Sequence, residues 1–143
     1  MSSVTLEQAS QIVDAALAEG RKRNLLPLTV VVLDAGGVAV ALKREDGSSL
    51  LRPQIATAKA WGTLGMGFGG RELARRAEGK PAFFAMITEL SGGNVSPVPG
   101  GVLIRDPGGA LLGAVGISGD ISDADEACAI AGIQAAGLIA DAG

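Results

Sequence analysis

Leu6, Ala9, Val13, Ala16 and Leu17 recur at three- and four-residue spacing through an otherwise polar stretch, which predicts a helix over 5–24 with one buried stripe. Thr5 and Gln8 have capping-box spacing at its start. Arg21, Lys22 and Arg23 suit the negative pole of its dipole and read as a solvated end. The period then changes. Residues 28–33 form a continuous β-branched run, the pattern of a strand buried on both faces. Asp34-Ala35-Gly36-Gly37 predicts a turn, and 38–43 returns as a second strand.

The same unit comes back late in the chain. A strand over 102–105, the turn Asp106-Pro107-Gly108-Gly109 and a strand over 110–118 repeat the hairpin. Asp34 and Asp106 are expected to bond their own turn backbone. A helix is predicted after each hairpin, over 52–66 and 122–140, with two short helices over 72–78 and 81–90 between the units. This order predicts an α/β domain of the α+β type, one domain over 1–143, with an antiparallel sheet flanked by helices.

Composition narrows the chemistry. Only Trp61, Phe68, Phe83 and Phe84 are aromatic, so the core must come from Val, Leu, Ile and Ala. The net charge of −3, without a basic run, argues against nucleic acid. No apolar run is long enough to span a bilayer, and Met1-Ser2-Ser3 has no leader pattern, so a cytoplasmic protein is expected. Cys128 is alone, and His and Tyr are absent. That removes the Ser-His-Asp triad, His-liganded zinc and a proximal-His haem, and no metal site is expected.

Several segments carry candidate chemistry. Gly65-Met66-Gly67-Phe68-Gly69-Gly70 matches G-x-G-x-x-G, but a helix precedes it where a dinucleotide site needs a strand, so it reads as a flexible joint between helices. The helix over 52–66 is built from small residues, apart from Lys59 and Trp61 between Ile55 and Leu64, and lets a backbone, a ligand or a second subunit approach closely. Lys59 is either a solvated lysine or the cation, or base, at a pocket edge. The loop Ser91 to Gly101 is either a connector or an anion-binding nest of backbone N–H groups. Ser118 sits beside Gly119 at a strand end, where a hydroxyl can touch a ligand. Ser122 and Asp125 have capping-box spacing at the last helix, with Asp123 and Glu126 in its first turn.

Val32-Leu33-Asp34-Ala35-Gly36-Gly37, Arg44-x-Asp46-Gly47 and Ala56-x-x-Lys59-Ala60 resemble the first half of the HbpS-like haem-degrading family, also known as the GlcG family. Pro99-Gly100-Gly101, residues 112–119, and Asp125-Glu126 before Ala131-Gly132 resemble its second half. The family includes haem-binding extracellular sensors, proteins of glycolate operons and the C-terminal domain of PduO-type proteins. The resemblance implies a five-stranded antiparallel sheet, similar to profilin-like folds, and a homo-oligomer. It also implies a pocket near the Lys59 helix, the Pro99-Gly100-Gly101 turn and the Ser118-Gly119 segment.

Two functions follow. In the first, the chain binds haem or a similar flat anionic small molecule, with Arg44, Arg52 or Lys59 meeting its carboxylates and no His available to the iron. In the alternative, the chain is an enzyme on a small carboxylate or carbonyl metabolite. Lys59 is then cation or base, Asp46 or Asp125 its acid-base partner, and the Pro99-Gly100-Gly101 backbone an oxyanion clamp. A dimer or larger assembly is expected through the small-residue helix.

Overall fold

The computed structural model describes residues 2–143; Met1, the first residue of the segment read for a leader, lies outside it. The element order is α1 (Leu6–Lys22), β1 (Thr29–Asp34), β2 (Ala39–Arg44), α2 (Arg52–Met66), α3 (Gly70–Gly79), α4 (Pro81–Leu90), β3 (Gly101–Arg105), β4 (Leu111–Ser118), α5 (Ser122–Ala135) and β5 (Ile139–Asp141). The strands form one antiparallel sheet in the order β2-β1-β4-β3-β5. Both Asp-x-Gly-Gly hairpins lie in it, as their repeated pattern predicts.

Local chemistry sets the element ends. The Thr5–Gln8 capping box is present, each side chain bonding the other residue's backbone N–H. Asp34 Oδ1 accepts from the Gly36 and Val38 N–H groups, and Asp106 Oδ1 accepts from Ala110 N–H. The last helix, expected to run to residue 140, stops at Ala135. Gly137 turns the chain at a φ of +74°, which a glycine tolerates, and residues 139–141 become a fifth strand against β3.

Side-chain alternation divides the core. Val30, Val32, Val102, Ile104, Val115 and Ile117 face α1 and α5, meeting Ile12, Val13, Cys128, Ala129 and Ile133. Val31, Leu33, Leu103 and Ala114 face α2, meeting Ala56 and Ala60. Each fully buried Val, Leu or Ile contributes about 1.5–3 kcal/mol by leaving water.

The approach of α2 is set by two glycines. Gly101 and Gly116 stand opposite each other in the β3–β4 register. A Cβ at Gly116 would overlap the Ala56 carbonyl, and one at Gly101 the Lys59 carbonyl, so the helix backbone rests directly on this glycine pair. On this side the small residues of α2 therefore let its backbone rest on its own sheet. Across the same row, Gly116 pairs with Val31 and Val31 with Leu42. The helix lies over β4, β1 and β3, and edge strand β2 is left open on that side.

The G-x-G-x-x-G segment is the joint between α2 and α3, but it is packed rather than loose. A Cβ on Gly69 would strike Ala142, and one on Gly70 the Val98 and Gly101 backbone.

Candidate functional site

Lys59 is not at a pocket edge. It belongs to the buried side of α2, where its Nζ donates to the Ile117 carbonyl at 3.0 Å and to Asp125 Oδ2 at 3.1 Å. The side chains are 4% and 0% exposed. Burial pushes the Asp125 carboxyl above its ordinary range, against the opposing pull of Lys59. The other carboxylate oxygen accepts from Asp120 N–H at 3.1 Å. Asp125 thus turns inward and does not complete a capping box with Ser122; the N-cap is Ile121, without a side-chain bond.

The surroundings of this pair are equally closed. Gly100 is buried, its carbonyl accepts from Ile117 N–H at 3.0 Å, and a Cβ there would come within 2.9 Å of Lys59 Nζ. Gly101 is already in β3 and Gly100 packs on Lys59, so of Pro99-Gly100-Gly101 only Pro99 borders a groove, of ≈ 860 Å³, which it shares with Arg71, Arg75, Pro97 and Val98 rather than with Lys59. Gly119 is buried against Pro27 and Leu28. Asp46 is exposed and does not join Lys59. It lines a groove of ≈ 440 Å³ with Leu17, Arg21, Pro27, Lys43, Arg44 and Glu45.

In the Ser91 to Gly101 loop most backbone N–H groups are already paired within the protein. Gly92 N–H donates to the Glu89 carbonyl, Gly93 to Thr88, Asn94 to Ser91 Oγ, Ser96 to Ala58 and Val98 to Ser96. These donors are spent within the protein.

Three of the predicted residues, Arg44, Arg52 and Ser118, do converge with others that the sequence did not single out. Arg44, Thr29 and Ser118 form one cross-strand row over β2, β1 and β4, on the face that α2 approaches. Ser118 is fully buried, and its Oγ accepts from Arg52 Nη1 at 3.0 Å. Arg44 Nη1 donates to the Ser48 carbonyl at 2.7 Å, and the Ser48 hydroxyl shares a 2.9 Å hydrogen bond with Thr29. Neither arginine has a carboxylate partner among the described residues. Each guanidinium has five N–H donors, most of them still available.

These cations stand at one end of the open β2 face. Leu42 projects from its middle, on the same side as Val31, and is 43% exposed. Trp61 closes the other end beside the β1–β2 turn, where a Cβ on Gly37 would lie 3.1 Å from its indole Nε1. Leu50 and Leu51, both exposed, precede Arg52. At about 3.3 Å per residue, the strip from residue 39 to residue 44 is roughly 16 Å long. Thr29, Ser48, Leu42 and Trp61 were not singled out as site residues by the sequence, because only the strand register brings them together.

The chain offers few atoms to a haem iron. It has no His or Tyr. Cys128 is fully buried and burial pushes its thiol up to about 11 from 9.0, while Lys59 is held by Asp125. Met66 lines a groove of ≈ 330 Å³ with Phe83 and Phe84, and Met86 is exposed on α4. A tetrapyrrole's ring and carboxylates match the apolar strip and its two arginines, whereas an imidazole- or thiolate-held iron does not match this donor set.

Among known proteins, the model of the family described as haem degrading protein HbpS-like matches residues 4–134. The corrinoid adenosyltransferase PduO of Salmonella typhimurium is 29% identical over 110 residues, covering 77% of this chain. That match spans 32% of PduO, about a third of its length. Among solved structures, PduOC in its haem complex is 25% identical with a TM-score of 0.85, covering 95% of this chain and 96% of that one. A double mutant of Streptomyces reticuli HbpS is 27% identical with a TM-score of 0.79, over 94% and 87% of the two chains. Klebsiella pneumoniae ORFY, 20% identical over 96% and 92%, shares the fold with a TM-score of 0.86.

Proposed function

The chain belongs to the HbpS-like family of haem degrading proteins, and from that premise we propose that it binds a flat, apolar, carboxylate-bearing small molecule of the haem type on the open face of β2. The observation that carries this reading is the convergence of Arg44 and Arg52 on the buried Ser48–Thr29–Ser118 row, at one end of an uncovered apolar strip. Leu42 and Trp61 contact the ring, and the arginines meet its carboxylates through charge-assisted hydrogen bonds. The buried Ser118 hydroxyl holds the Arg52 guanidinium and the Ser48 carbonyl holds that of Arg44 before the ligand arrives, which lowers the cost of ordering them. The haem complex of PduOC supports a ligand of this shape.

The absence of His directs the reading toward the ring and its carboxylates rather than toward the metal. Hemin and metal-free protoporphyrin are therefore expected to bind with affinities within about tenfold of each other, since each makes the same contacts and tenfold is only about 1.4 kcal/mol. Titration of both, followed by Trp61 fluorescence and the Soret band, tests this. Arg44→Ala and Arg52→Ala are each expected to weaken binding about tenfold or more, the usual cost of losing a hydrogen bond to a charged group. Tight binding of hemin that both substitutions leave unchanged defeats the proposal.

A further inference from the structure

Helices α3 and α4 meet at Lys80, and a groove of ≈ 330 Å³ lies between their joined ends and the last residue of α2, Met66. Its apolar side is Met66, Phe83 and Phe84. Phe84 is 4% exposed and meets Phe83 edge to face, with ring centroids 5.5 Å apart. The rest of the lining is cationic: Arg75, Arg76 and Lys80 border the groove, and no acidic residue does. At Gly79, which completes the lining, a Cβ would meet nothing within 4 Å, so the space over the end of α3 is open.

The positive charge here is not neutralised. Arg75 and Arg76 both pair with one carboxylate, that of Glu72, with Arg76 Nε at 2.8 Å. Lys80 has no ion-pair partner among the described residues. Three cations thus share one acid, in a chain whose net charge is −3. Arg76 is also held in place, because its guanidinium carbon is 4.0 Å from the centroid of the Phe68 ring. Glu72 takes only its Nε–H, so its Nη donors stay open, as do the three of the Lys80 ammonium.

These two sides together set the ligand class. A bare phosphate would leave the aromatic side wet, and a neutral hydrocarbon would leave the cations without a counter-charge. A ring that carries one carboxylate satisfies both. Size agrees, since a cavity of about 150 Å³ holds a benzene, and ≈ 330 Å³ therefore admits one ring with a short carboxylate arm. We propose that this groove is a separate binding site, for a small aromatic monocarboxylate. The ring packs against Phe83 and Phe84 with its edge toward the Met66 sulfur. The carboxylate meets Lys80 and the free Nη groups of Arg76. None of these residues belongs to the β2 face, so the failure of either site leaves the other standing.

The test is a titration of the isotope-labelled full chain with phenylacetate, followed by amide NMR at Gly79, Lys80 and Phe83. Saturable shifts with a Kd of about 1 mM or tighter are expected for a ligand of this size. Phenylacetamide, which has the shape without the charge, should bind at least about tenfold more weakly, and so should phenylacetate to Lys80→Gln. Phe83→Asp should have the same effect at a position that is already 45% exposed. Lys43→Gln, at an exposed cation on β2, should leave the Kd unchanged, as should Arg44→Ala and Arg52→Ala. Absence of saturable shifts up to about 10 mM, tenfold above that Kd, overturns the proposal. So do equal shifts with inorganic phosphate, an unchanged Kd in Lys80→Gln, or loss of binding in Arg44→Ala. A particle larger than 14.2 kDa whose groove amides ignore phenylacetate would put a second copy in the groove and overturn it as well.

Discussion

Lys59 Nζ lies 3.1 Å from Asp125 Oδ2, and this one buried ion pair joins α2 and α5, the helices that cover opposite faces of the sheet. The two residues are 66 positions apart, and the Ile117 carbonyl at the end of β4 shares the same ammonium group. Breaking such a pair strands a charge without water. Asp125→Asn or Lys59→Met is therefore expected to cost about 3–5 kcal/mol in urea denaturation. The double variant Lys59→Met, Asp125→Leu should be more stable than either single one. Single losses below about 1 kcal/mol, the range of exposed pairs, would mean the pair is solvated in solution.

Cys128 predicts a pH dependence of stability. Its thiol is pushed up to about 11 from 9.0, mainly by burial. Between those values the unfolded chain has lost the proton and the folded chain retains it. The contribution is full below pH 9 and is lost as the pH rises to about 11. At about 1.36 kcal/mol per unit, the loss over that window is roughly 2–3 kcal/mol. Cys128→Ala should flatten this limb of the stability curve. At pH 8 the native thiol should resist a disulfide reagent that reacts at once in denaturant.

Gly116→Ala should be among the most disruptive single-methyl changes in the chain. The new Cβ meets the Ala56 carbonyl, a backbone atom that no rotamer change moves aside. Overpacking of this kind costs about 1–3 kcal/mol or more. Equilibrium unfolding should register the loss, and unchanged stability would show that α2 does not rest on the Gly101–Gly116 pair.

Trp61 is the sole tryptophan, and it closes the open β2 face. A haem-type ligand seated there should quench its fluorescence in proportion to occupancy. Leu42→Asp should remove that quenching while leaving the fold intact, because Leu42 is already 43% exposed. Full quenching by hemin in Leu42→Asp would move the ligand off this strand.

The regular elements were legible because their signals are local. The α1 stripe and its capping box, the two Asp-turn hairpins and the length of α2 all follow from spacings of a few residues. Strand β5 was hidden because Leu138, Ile139 and Ala140 continue the apolar pattern of α5, and only Gly137 marks the break. The smallness of α2 correctly signalled close approach, but the partner is a glycine pair drawn from two strands. Lys59 and Asp125 were both singled out, yet whether a lysine is buried depends on a counter-charge that folding supplies from far along the chain. Arg44, Arg52 and Ser118 come together only through register, since the row Arg44–Thr29–Ser118 crosses three strands.

Strand β5 is only three residues long, but it covers the outer edge of β3, with Arg105 and Asp141 fastening it at 2.9 Å. A chain cut at Gly137 would keep five helices and four strands and would have two long bare rims in place of one. Rims of unpaired backbone are templates for foreign strands. With two of them, each molecule could recruit a neighbour on either side, and growth by sheet addition would have no terminus. The intact chain presents a single long rim, β2, which is kinked by the irregular register at Val40 and carries Lys43 and Arg44. The short final strand thus leaves one long rim where the cut chain would expose two.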